Sequence, residues 1–413
     1  MAALLLAAAI PASAQTPAPT GFSYPIEWRI RPEERTNATF SDAAANDPHD
    51  FQSRLRLGIN YKSREGWNAF VQPQWAVTDD THNPKPQGTV RDLDIHQGYV
   101  DFTDANRKWR IGRQELLYGD ARLIGPGNWS SVGRSFDGAR LSLGDRRTST
   151  DILVTELGQS YQKTNQPLFA GVYSTVKRSP ALAYDVYALY KEVKVTAATS
   201  QHIVTAGARP VWNPTKQIQA KLEAAYQFGS NEARPVSAWA YAGVASYTLP
   251  GRYGVQLAVE RDEASGGNPT GSGTYRTFDQ LFPTNHLHYG IIDFVGWRNM
   301  EDWRLMLRAN PTAKLQLQVD GHFFSLKDPR DFWYSDSGKP MVNAAGAPFR
   351  DPTGRAGRDL GTELDVQGTY SLSRQVVLSA GYARFVPGSF VRATNGGKAD
   401  NSDWFYVMAD LKF

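Results

Sequence analysis

The sequence of 413 residues contains no cysteine, which excludes disulfide bonds, thiolate metal sites and cysteine nucleophiles. It also lacks any run of about 20 apolar residues, the length that a transmembrane helix requires. No low-complexity segment marks a linker between domains, and the formal net charge is only +4. Because nucleic-acid-binding proteins carry a clustered basic face, no nucleic-acid partner is expected.

Aromatic residues are abundant instead, with 11 Trp, 19 Tyr and 19 Phe. Membrane barrels place such side chains in girdles at the two membrane interfaces. The mean hydropathy is −0.46, which fits a soluble protein and also a barrel whose strands turn half of their residues to a wet lumen. Composition therefore leaves both classes open, and the pattern along the chain has to decide between them.

The first 14 residues are small and apolar and end in Ala12-Ser13-Ala14. This is the apolar core and cleavage site of a secretory signal peptide, and its missing basic start indicates truncation at the N-terminus. Residues 1–14 are therefore predicted to be a signal peptide, and residues 15–23 a short N-terminal tail. Residues 24–413 are predicted to form a single barrel domain.

Apolar and polar residues alternate with period two along most of the chain, as in β-strands with two different faces. One face of a central example carries Ile218, Ala220, Leu222, Ala224, Tyr226 and Phe228. The residues between them, such as Lys221 and Glu223, are polar. Several such stretches reach 10 or more residues, whereas globular strands cluster near five or six. Tilted membrane-crossing strands need about 9–11 residues.

The connections between these strands alternate between short turns and long links. Long links are expected at Pro32–Asp50, Asp79–Val90, Leu117–Arg134, Ser265–Asn299, Lys327–Arg358 and Pro387–Asn401. The short ones carry Gly, Pro, Asn, Asp and Ser, the residues of tight hairpins. This asymmetry predicts an all-β fold, a transmembrane antiparallel β-barrel of about 18 strands with long extracellular loops and short periplasmic turns. The expected location is the bacterial outer membrane, with multiple crossings and lipid around the wall.

The last strand, Trp404–Phe413, places Phe405, Val407 and Leu411 on one face and ends on Phe413. Chain termini of soluble domains usually fray into water, so this ending favours a strand that pairs with the first one and closes a barrel. A strand that ends on Phe is also typical of substrates of the barrel-assembly machinery. We therefore expect that machinery to be a partner.

Two places break the alternation. The apolar phase changes between Leu93 and Phe102, which predicts a β-bulge near Gly98. The segment Thr277–Asp302 shows no strand pattern. We expect it to be a loop that folds over or into the pore.

Two segments resemble a known family. The first contains RQELLYGDARLIG at residues 113–125 and VGRSFDGARL at 132–141, and the second contains FDQLFPTNH at 278–286. Both resemble the alginate-export family of outer-membrane proteins. The resemblance implies an 18-stranded barrel whose lumen carries arginines for an anionic polyuronate. It supports the barrel more strongly than the substrate.

Strand parity and these motifs give a set of candidate lumen-selectivity or substrate-binding residues. They are Arg29, Arg31, Arg54, Arg56, Arg110, Arg113, Arg134, Arg140, Lys221, Arg304 and Arg308. Guanidinium groups bind carboxylates bidentately and stay charged, and rings of Arg or Lys favour anions in pores. Carboxylates such as Glu223, Asp320 and Asp365 could instead neutralise them as structural pairs, and the sequence leaves both interpretations open.

By resemblance, the predicted function is passive export of alginate or a similar anionic polysaccharide. A substrate-specific or general porin for small solutes is the alternative, and an outer-membrane enzyme or adhesin with a plugged barrel is a third. No GxSxG nucleophile motif occurs, so no enzyme activity is predicted. His286 and His288 lack a third ligand at fixed spacing, so neither a metal nor a cofactor is predicted.

Overall fold

The structure, a computed structural model of the chain, describes residues 20–42, 47–80, 92–158, 166–195 and 199–413. The predicted signal peptide, residues 1–14, lies outside these ranges. So do residues 15–19 of the predicted tail and most of the long link 79–90. Cleavage of the signal peptide therefore stays a prediction.

Within the described residues, twenty antiparallel strands form one sheet. The first ten are β1 Gly21–Ser23, β2 Ile26–Arg35, β3 His49–Leu57, β4 Ile59–Lys62, β5 Trp67–Asp80, β6 Asp92–Thr103, β7 Arg107–Gln114, β8 Ser135–Gly144, β9 Thr148–Gly158 and β10 Leu168–Lys177. The others are β11 Leu182–Lys194, β12 Ser200–Trp212, β13 Ile218–Asn231, β14 Arg234–Thr248, β15 Gln256–Ala264, β16 Met300–Ala309, β17 Leu315–Leu326, β18 Asp359–Ser371, β19 Val376–Pro387 and β20 Ser402–Lys412.

Strands β1 and β2 together occupy one position in the wall, and so do β3 and β4. The barrel therefore has 18 strand positions, or staves, as predicted. Strand β1 continues β2 beyond Pro25, and it pairs with β4. Strands β3 and β4 are separated only by Gly58, where a Cβ atom would lie 2.6 Å from the Pro25 ring. A glycine is therefore needed at this close approach. The boundary predicted at residue 24 falls beyond β1, which is part of the sheet.

The barrel closes where the last strand meets the first full one. Strand β20 pairs with β19 on one side and with β2 on the other. The backbones of Ile26 and Phe413 exchange two hydrogen bonds of 2.9 Å. A closed sheet leaves no edge strand with unpaired backbone groups, so the predicted pairing of the C-terminal strand is confirmed.

The two faces of each strand differ as the alternation predicts. On β20, the outward side chains of Phe405 and Val407 are exposed, whereas Trp404, Tyr406 and Met408 point inward and are buried. Because the exposed apolar side chains face the lipid and the inward ones face the lumen, the hydrophobic band lies on the outside of the barrel.

The connections follow the predicted parity. Short turns lie at one end of the barrel, the longest of them at 249–255. The links at the other end include 36–48, 115–134, 265–299, 327–358 and 388–401. Two of these, 265–299 and 327–358, have the predicted boundaries. Following the outer-membrane convention, we call the two ends periplasmic and extracellular.

The predicted β-bulge is present on β6, two residues before Gly98. The register with β5 shifts because Gln72 pairs with Gln97 while Pro73 pairs with Ile95. His96 is thus the extra residue, and its side chain is buried inside the wall. A bulge of this kind changes which residues of a strand face inward.

A hydrophobic core fills the extracellular part of the barrel interior. Phe40, from the first long link, packs against Trp333, Phe349 and Phe385 with ring centroids 5.4–5.8 Å apart. The only helical segments of the described residues are α1, Ser389–Thr394, and the 3-10 helix Asn285–Leu287. No helix within the described ranges has the length and apolar character needed to cross a membrane.

Candidate functional site in the barrel lumen

Two extracellular links fold back into the lumen, and we call them pore loop A (residues 115–134) and pore loop B (residues 265–299). Both contain many fully buried side chains, including Leu116 and Ile124 in loop A and Phe278 and Trp297 in loop B. The loops contact each other directly, since the Gly125 amide donates to the Phe282 carbonyl over 2.8 Å. Residues 277–299 therefore form a loop inside the pore, as predicted.

Arg29, Arg31, Arg54 and Arg56 form a basic column on β2 and β3. All four side chains are buried, and Arg29 and Arg54 are direct cross-strand partners. The column holds loop A through backbone carbonyls: Arg29 donates to Asn128 O over 2.5 Å, and Arg54 donates to the same oxygen over 3.1 Å. The repulsion between these like charges is thus offset by oriented carbonyl dipoles.

Within the column the degree of ionic pairing differs. Arg29 lies 3.1 Å from Asp410, Arg31 lies 3.1 Å from Glu33, and Arg56 lies 3.4 Å from Glu115. No carboxylate of the described residues forms an ion pair with Arg54. Arg54 is therefore a buried cation held only by peptide carbonyls.

Trp129 of loop A connects the basic column to loop B. The Arg31 guanidinium stacks on the Trp129 ring at 3.8 Å from its centroid. The His286 ring stacks on the indole at a centroid distance of 3.8 Å. A cation over an indole face is among the stronger cation–π arrangements, so this stack joins the wall, loop A and loop B.

Arg110, Arg113 and Arg140 lie on β7 and β8 and pair with carboxylates. Arg110 binds Asp101 bidentately at 2.7 and 2.9 Å. Arg113 binds Asp137 in the same way at 2.7 and 2.8 Å, but it shares the outward parity of the exposed Trp109 and Ile111. The prediction that Arg113 faces the lumen is therefore wrong, because it lies three residues along the strand from the inward Arg110. Arg140 lies 3.7 Å from Asp151. The lumen side of this part of the wall thus carries the pairs of Arg110 and Arg140, and the pair of Arg113 lies on the outer side.

Arg134 and Lys221 connect loop A to its surroundings. Arg134 donates to the carbonyls of Gly125 and Phe282, each over 2.7 Å. Lys221 on β13 lies 3.3 Å from the Asp120 carboxylate of loop A. Arg209 on β12 lies 3.3 Å from the same carboxylate. Asp120 therefore attaches loop A to the far wall.

Arg304 and Arg308 both lie on β16 but in different surroundings. Arg304 lies 2.7 Å from Asp320 and donates to the carbonyls of Leu287 and His288 in loop B. Arg308 lies four residues further along the strand, toward the periplasmic turn. Its Nε atom has no hydrogen-bond partner among the described residues. Arg304 thus supports loop B, and Arg308 faces the periplasmic part of the lumen.

Several cations of the lumen were not selected from the sequence. Arg209, which pairs with Asp120 and Asp185, lies on a strand whose alternation is interrupted by Pro210. Arg122 of loop A is fully buried against Glu260 and Asp262. Lys191 binds Asp279 of loop B at 2.8 Å. The alternation of β12 would have indicated that Arg209 faces the lumen. The position of Arg122 depends on the path of loop A, which the sequence does not show.

Burial changes the protonation of groups in the pore loops. It raises the pKa of Asp293 to about 8 and that of Asp336 to about 7. It lowers the pKa of His286, whose Nδ1 lies 3.0 Å from Asp293. Burial also acts to raise the pKa of Glu115, but the hydrogen bond to His96 and the charge of Arg56 hold it at about 2. Asp293 of loop B and Asp336 of the link 327–358 thus hold a proton more readily than a free carboxyl, whereas Glu115 of loop A and Asp279 of loop B stay ionised beside their cations.

Solved structures of similar shape come from Pseudomonas aeruginosa and include its outer membrane protein OprD. OprD has a TM-score of 0.63 at 10% identity, covering 97% of this chain and 97% of its own. OpdO has a TM-score of 0.63 at 12% identity, covering 95% and 97%, and OccK11 (OpdR) has 0.59 at 11%, covering 95% and 98%. These likenesses concern the fold.

No curated protein matches the sequence. The family described as alginate export matches residues 22–405, nearly the whole described chain. With the closed barrel of 18 staves, this match makes the protein a multi-pass component of the bacterial outer membrane with the architecture of a channel. The chain belongs to the alginate export family of outer-membrane β-barrels.

Proposed function

We propose that this protein is a passive, non-enzymatic channel through which alginate or a similar anionic polysaccharide crosses the outer membrane. The observation that carries the proposal is the distribution of cations around the lumen. In the periplasmic half of the wall they extend from four separate groups of strands. They are Arg29 and Arg56 on β2 and β3, Arg110 and Arg140 on β7 and β8, Lys221 on β13, and Arg308 on β16.

A polyuronate carries one carboxylate on each sugar, so a moving chain needs cations at repeated positions rather than a single tight site. Side chains that are already paired contribute less, because an incoming carboxylate that takes the cation leaves the fixed carboxylate without its partner. Arg54 and Arg308 support the proposal more directly. Neither forms an ion pair with a carboxylate of the described residues, so each leaves positive charge for a solute.

The pore loops are placed to control passage. Loop A rests on the basic column, and loop B rests on loop A through Arg134 and on β16–β18. A polymer that follows the basic column therefore has to displace the carbonyls of residues 128–130 from Arg29 and Arg54. We infer that the described arrangement is a closed state and that movement of the two loops opens it.

A substrate-specific porin for small anionic solutes is the second candidate. One observation favours it: the two loops pack into the hydrophobic core with Trp297 and Phe278 fully buried. Loops fixed in this way leave less room for a polymer than for a small carboxylate. The two candidates share the cationic lumen and differ in whether the loops move.

Block of single-channel current by oligosaccharides distinguishes these candidates. We expect oligouronates of about six sugars to interrupt the current of the protein in planar bilayers, because their carboxylates bind the lumen cations. Neutral glucose oligomers of equal length serve as the matched control and are expected to pass or be excluded without block. Block by single uronates alone would favour the small-solute porin. No block by any uronate would contradict both candidates.

A further inference from the structure

A second cluster of titratable side chains lies on β17 and β18, beneath loop B, and the channel function does not use it. Asp320 and Asp365 are directly opposite each other in the sheet, and His322 is opposite Glu363. Ligand atoms of Asp320, His322 and Asp365 all lie within 4.8 Å of one another. All three residues are only 1% exposed.

The atoms that converge in this cluster lack partners. Among the described residues, no hydrogen bond reaches Asp320 Oδ1, His322 Nε2 or Asp365 Oδ1. Glu363 Oε2, on the neighbouring side chain, is also buried and unbonded. Leaving one buried polar atom without a partner costs about 1–3 kcal/mol. Four such atoms at one place indicate that something else binds there.

The orientation of His322 is already fixed for binding a cation. Its Nδ1 lies 2.7 Å from Asp302 Oδ2 on β16. With Nδ1–H donating to that carboxylate, Nε2 presents its lone pair toward Asp365, whose Oδ2 lies 3.7 Å away. Metal-binding histidines commonly have such a carboxylate on their other nitrogen, since it fixes the tautomer and the ring.

Charge balance also calls for a cation at this position. Asp302, Asp320, Glu363 and Asp365 surround His322, and Arg304, 2.7 Å from Asp320, is the arginine that contacts this group. Like charges directly opposite each other in a sheet destabilise it, and buried carboxylates need pairing. A divalent ion would supply the missing charge.

We propose that Asp320, His322 and Asp365 bind a divalent transition-metal ion of the Zn²⁺ or Mn²⁺ class, with Glu363 available as a fourth ligand. One imidazole and several carboxylates form a donor set for these ions. Ligand atoms around a tetrahedral zinc lie about 3.3 Å apart, so the ion draws the three side chains slightly together.

The ion has a structural consequence for the pore. The amide of Ile291 donates to Asp365 Oδ2 over 3.3 Å, and the amide of Ile292 donates to Glu363 Oε1 over 3.0 Å. Both amides belong to loop B. A metal that fixes these two carboxylates also fixes the position of residues 291 and 292 of loop B. The site would therefore stabilise the closed conformation of the pore.

The test is metal analysis of the barrel refolded into detergent with Zn²⁺ or Mn²⁺ and then passed over a chelating resin. We expect about one equivalent of metal per wild-type chain and almost none in His322→Asn or Asp365→Asn. His96→Asn is the matched control, because His96 is a buried lumen histidine that contacts Glu115 and Ser135 and should leave the metal content unchanged. Folding of each variant is checked by heat-modifiable mobility, and only folded protein is counted.

A second readout is the resistance of the folded barrel to heat. Chelation by EDTA during refolding should lower the unfolding temperature of the wild type and leave that of His322→Asn unchanged. Folded wild type without metal, or His322→Asn with as much metal as wild type, would overturn the proposal. In a competition refolding with equimolar Ca²⁺, retention of calcium in place of zinc and manganese would contradict the assigned class of ion.

Discussion

At the scale of single residues, the neighbours of a lumen arginine determine what it does. Arg110 and Arg113 are held by bidentate carboxylates, whereas Arg54 is held by carbonyls and Arg308 lacks a partner at Nε. The strand pattern places Arg54, Arg110 and Arg308 on the lumen face but contains no information about their partners. The sequence therefore predicts which side chains enter the lumen better than it predicts which of them remain available to a solute.

Arg304 and Arg308 form a matched pair for testing this difference. Replacing Arg304 by Gln leaves the buried Asp320 without its cation, whereas Glu260 keeps Arg122, so we expect a loss of about 3–5 kcal/mol in the free energy of unfolding. Replacing Arg308 by Gln should change that free energy by less than about 1 kcal/mol. Urea unfolding followed by tryptophan fluorescence measures both. Equal losses would show that the two arginines support the fold alike.

Asp293 gives a prediction about pH. Its pKa is raised by burial to about 8 in the folded protein, against about 3.9 in an unfolded chain. The folded state therefore holds a proton that the unfolded state releases, so the stability is fully present below about pH 4 and is lost as the pH rises through 8. Between pH 5 and 8 the loss from this group amounts to at most about 4 kcal/mol.

The pH prediction is measured as the urea midpoint at pH 5 and pH 9. Asp293→Asn should show a smaller fall across this range than the wild type, because its side chain stays neutral. Asp351→Asn is the control, since Asp351 is exposed and its pKa is lowered by hydrogen bonds from Thr353 and Ala356. If the urea midpoint of Asp293→Asn fell as much as that of the wild type, Asp293 would not be the cause of the pH dependence.

At the scale of elements, the wall and the pore loops differ in how far the sequence predicts them. The strands follow from period-two alternation, because lipid and lumen impose opposite polarity on successive residues. The lack of alternation in 277–302 predicts a loop in the pore, which the burial of loop B confirms. The packing of loop A could not be predicted, because Gly119 and Asp120 also fit an ordinary turn. Asp120 in fact bonds Lys221 and Arg209 across the lumen.

Shortening loop B tests its role as the closing element. Replacing residues 278–296 by a short Gly-Ser linker should raise single-channel conductance several-fold, because it removes the side chains that fill the lumen. The matched control removes the exposed tip, residues 268–274, and should leave the conductance unchanged. An unchanged conductance in the first variant would place the constriction elsewhere.

At the scale of the whole molecule, the seam between β2 and β20 completes the barrel. Leu411 pairs with Trp28 on the lipid side, and Phe413 bonds Ile26. We propose that this strand is also what the barrel-assembly machinery recognises. Leu411→Arg or removal of Phe413 should lower the folded fraction in outer membranes, because the charge disturbs the lipid face near the interface, at a cost of about 0–1 kcal/mol, and the truncation removes the two backbone bonds between Ile26 and Phe413.

Heat-modifiable mobility of the membrane fraction reports that folded fraction. Lys412→Arg is the matched control, because it keeps the positive charge at the rim of the pore. Normal amounts of folded protein in both seam variants would contradict the role assigned to this strand.

The central claim is that the lumen favours anions, and the reversal potential in a tenfold KCl gradient tests it most directly. The wild-type protein is expected to be anion-selective, because cations lie around its whole circumference. Arg54→Gln and Arg308→Gln should each shift the potential toward zero, whereas Arg107→Gln, at an exposed arginine beside a periplasmic turn, should not. A cation-selective wild type, or a potential that neither lumen substitution changes, would contradict the account.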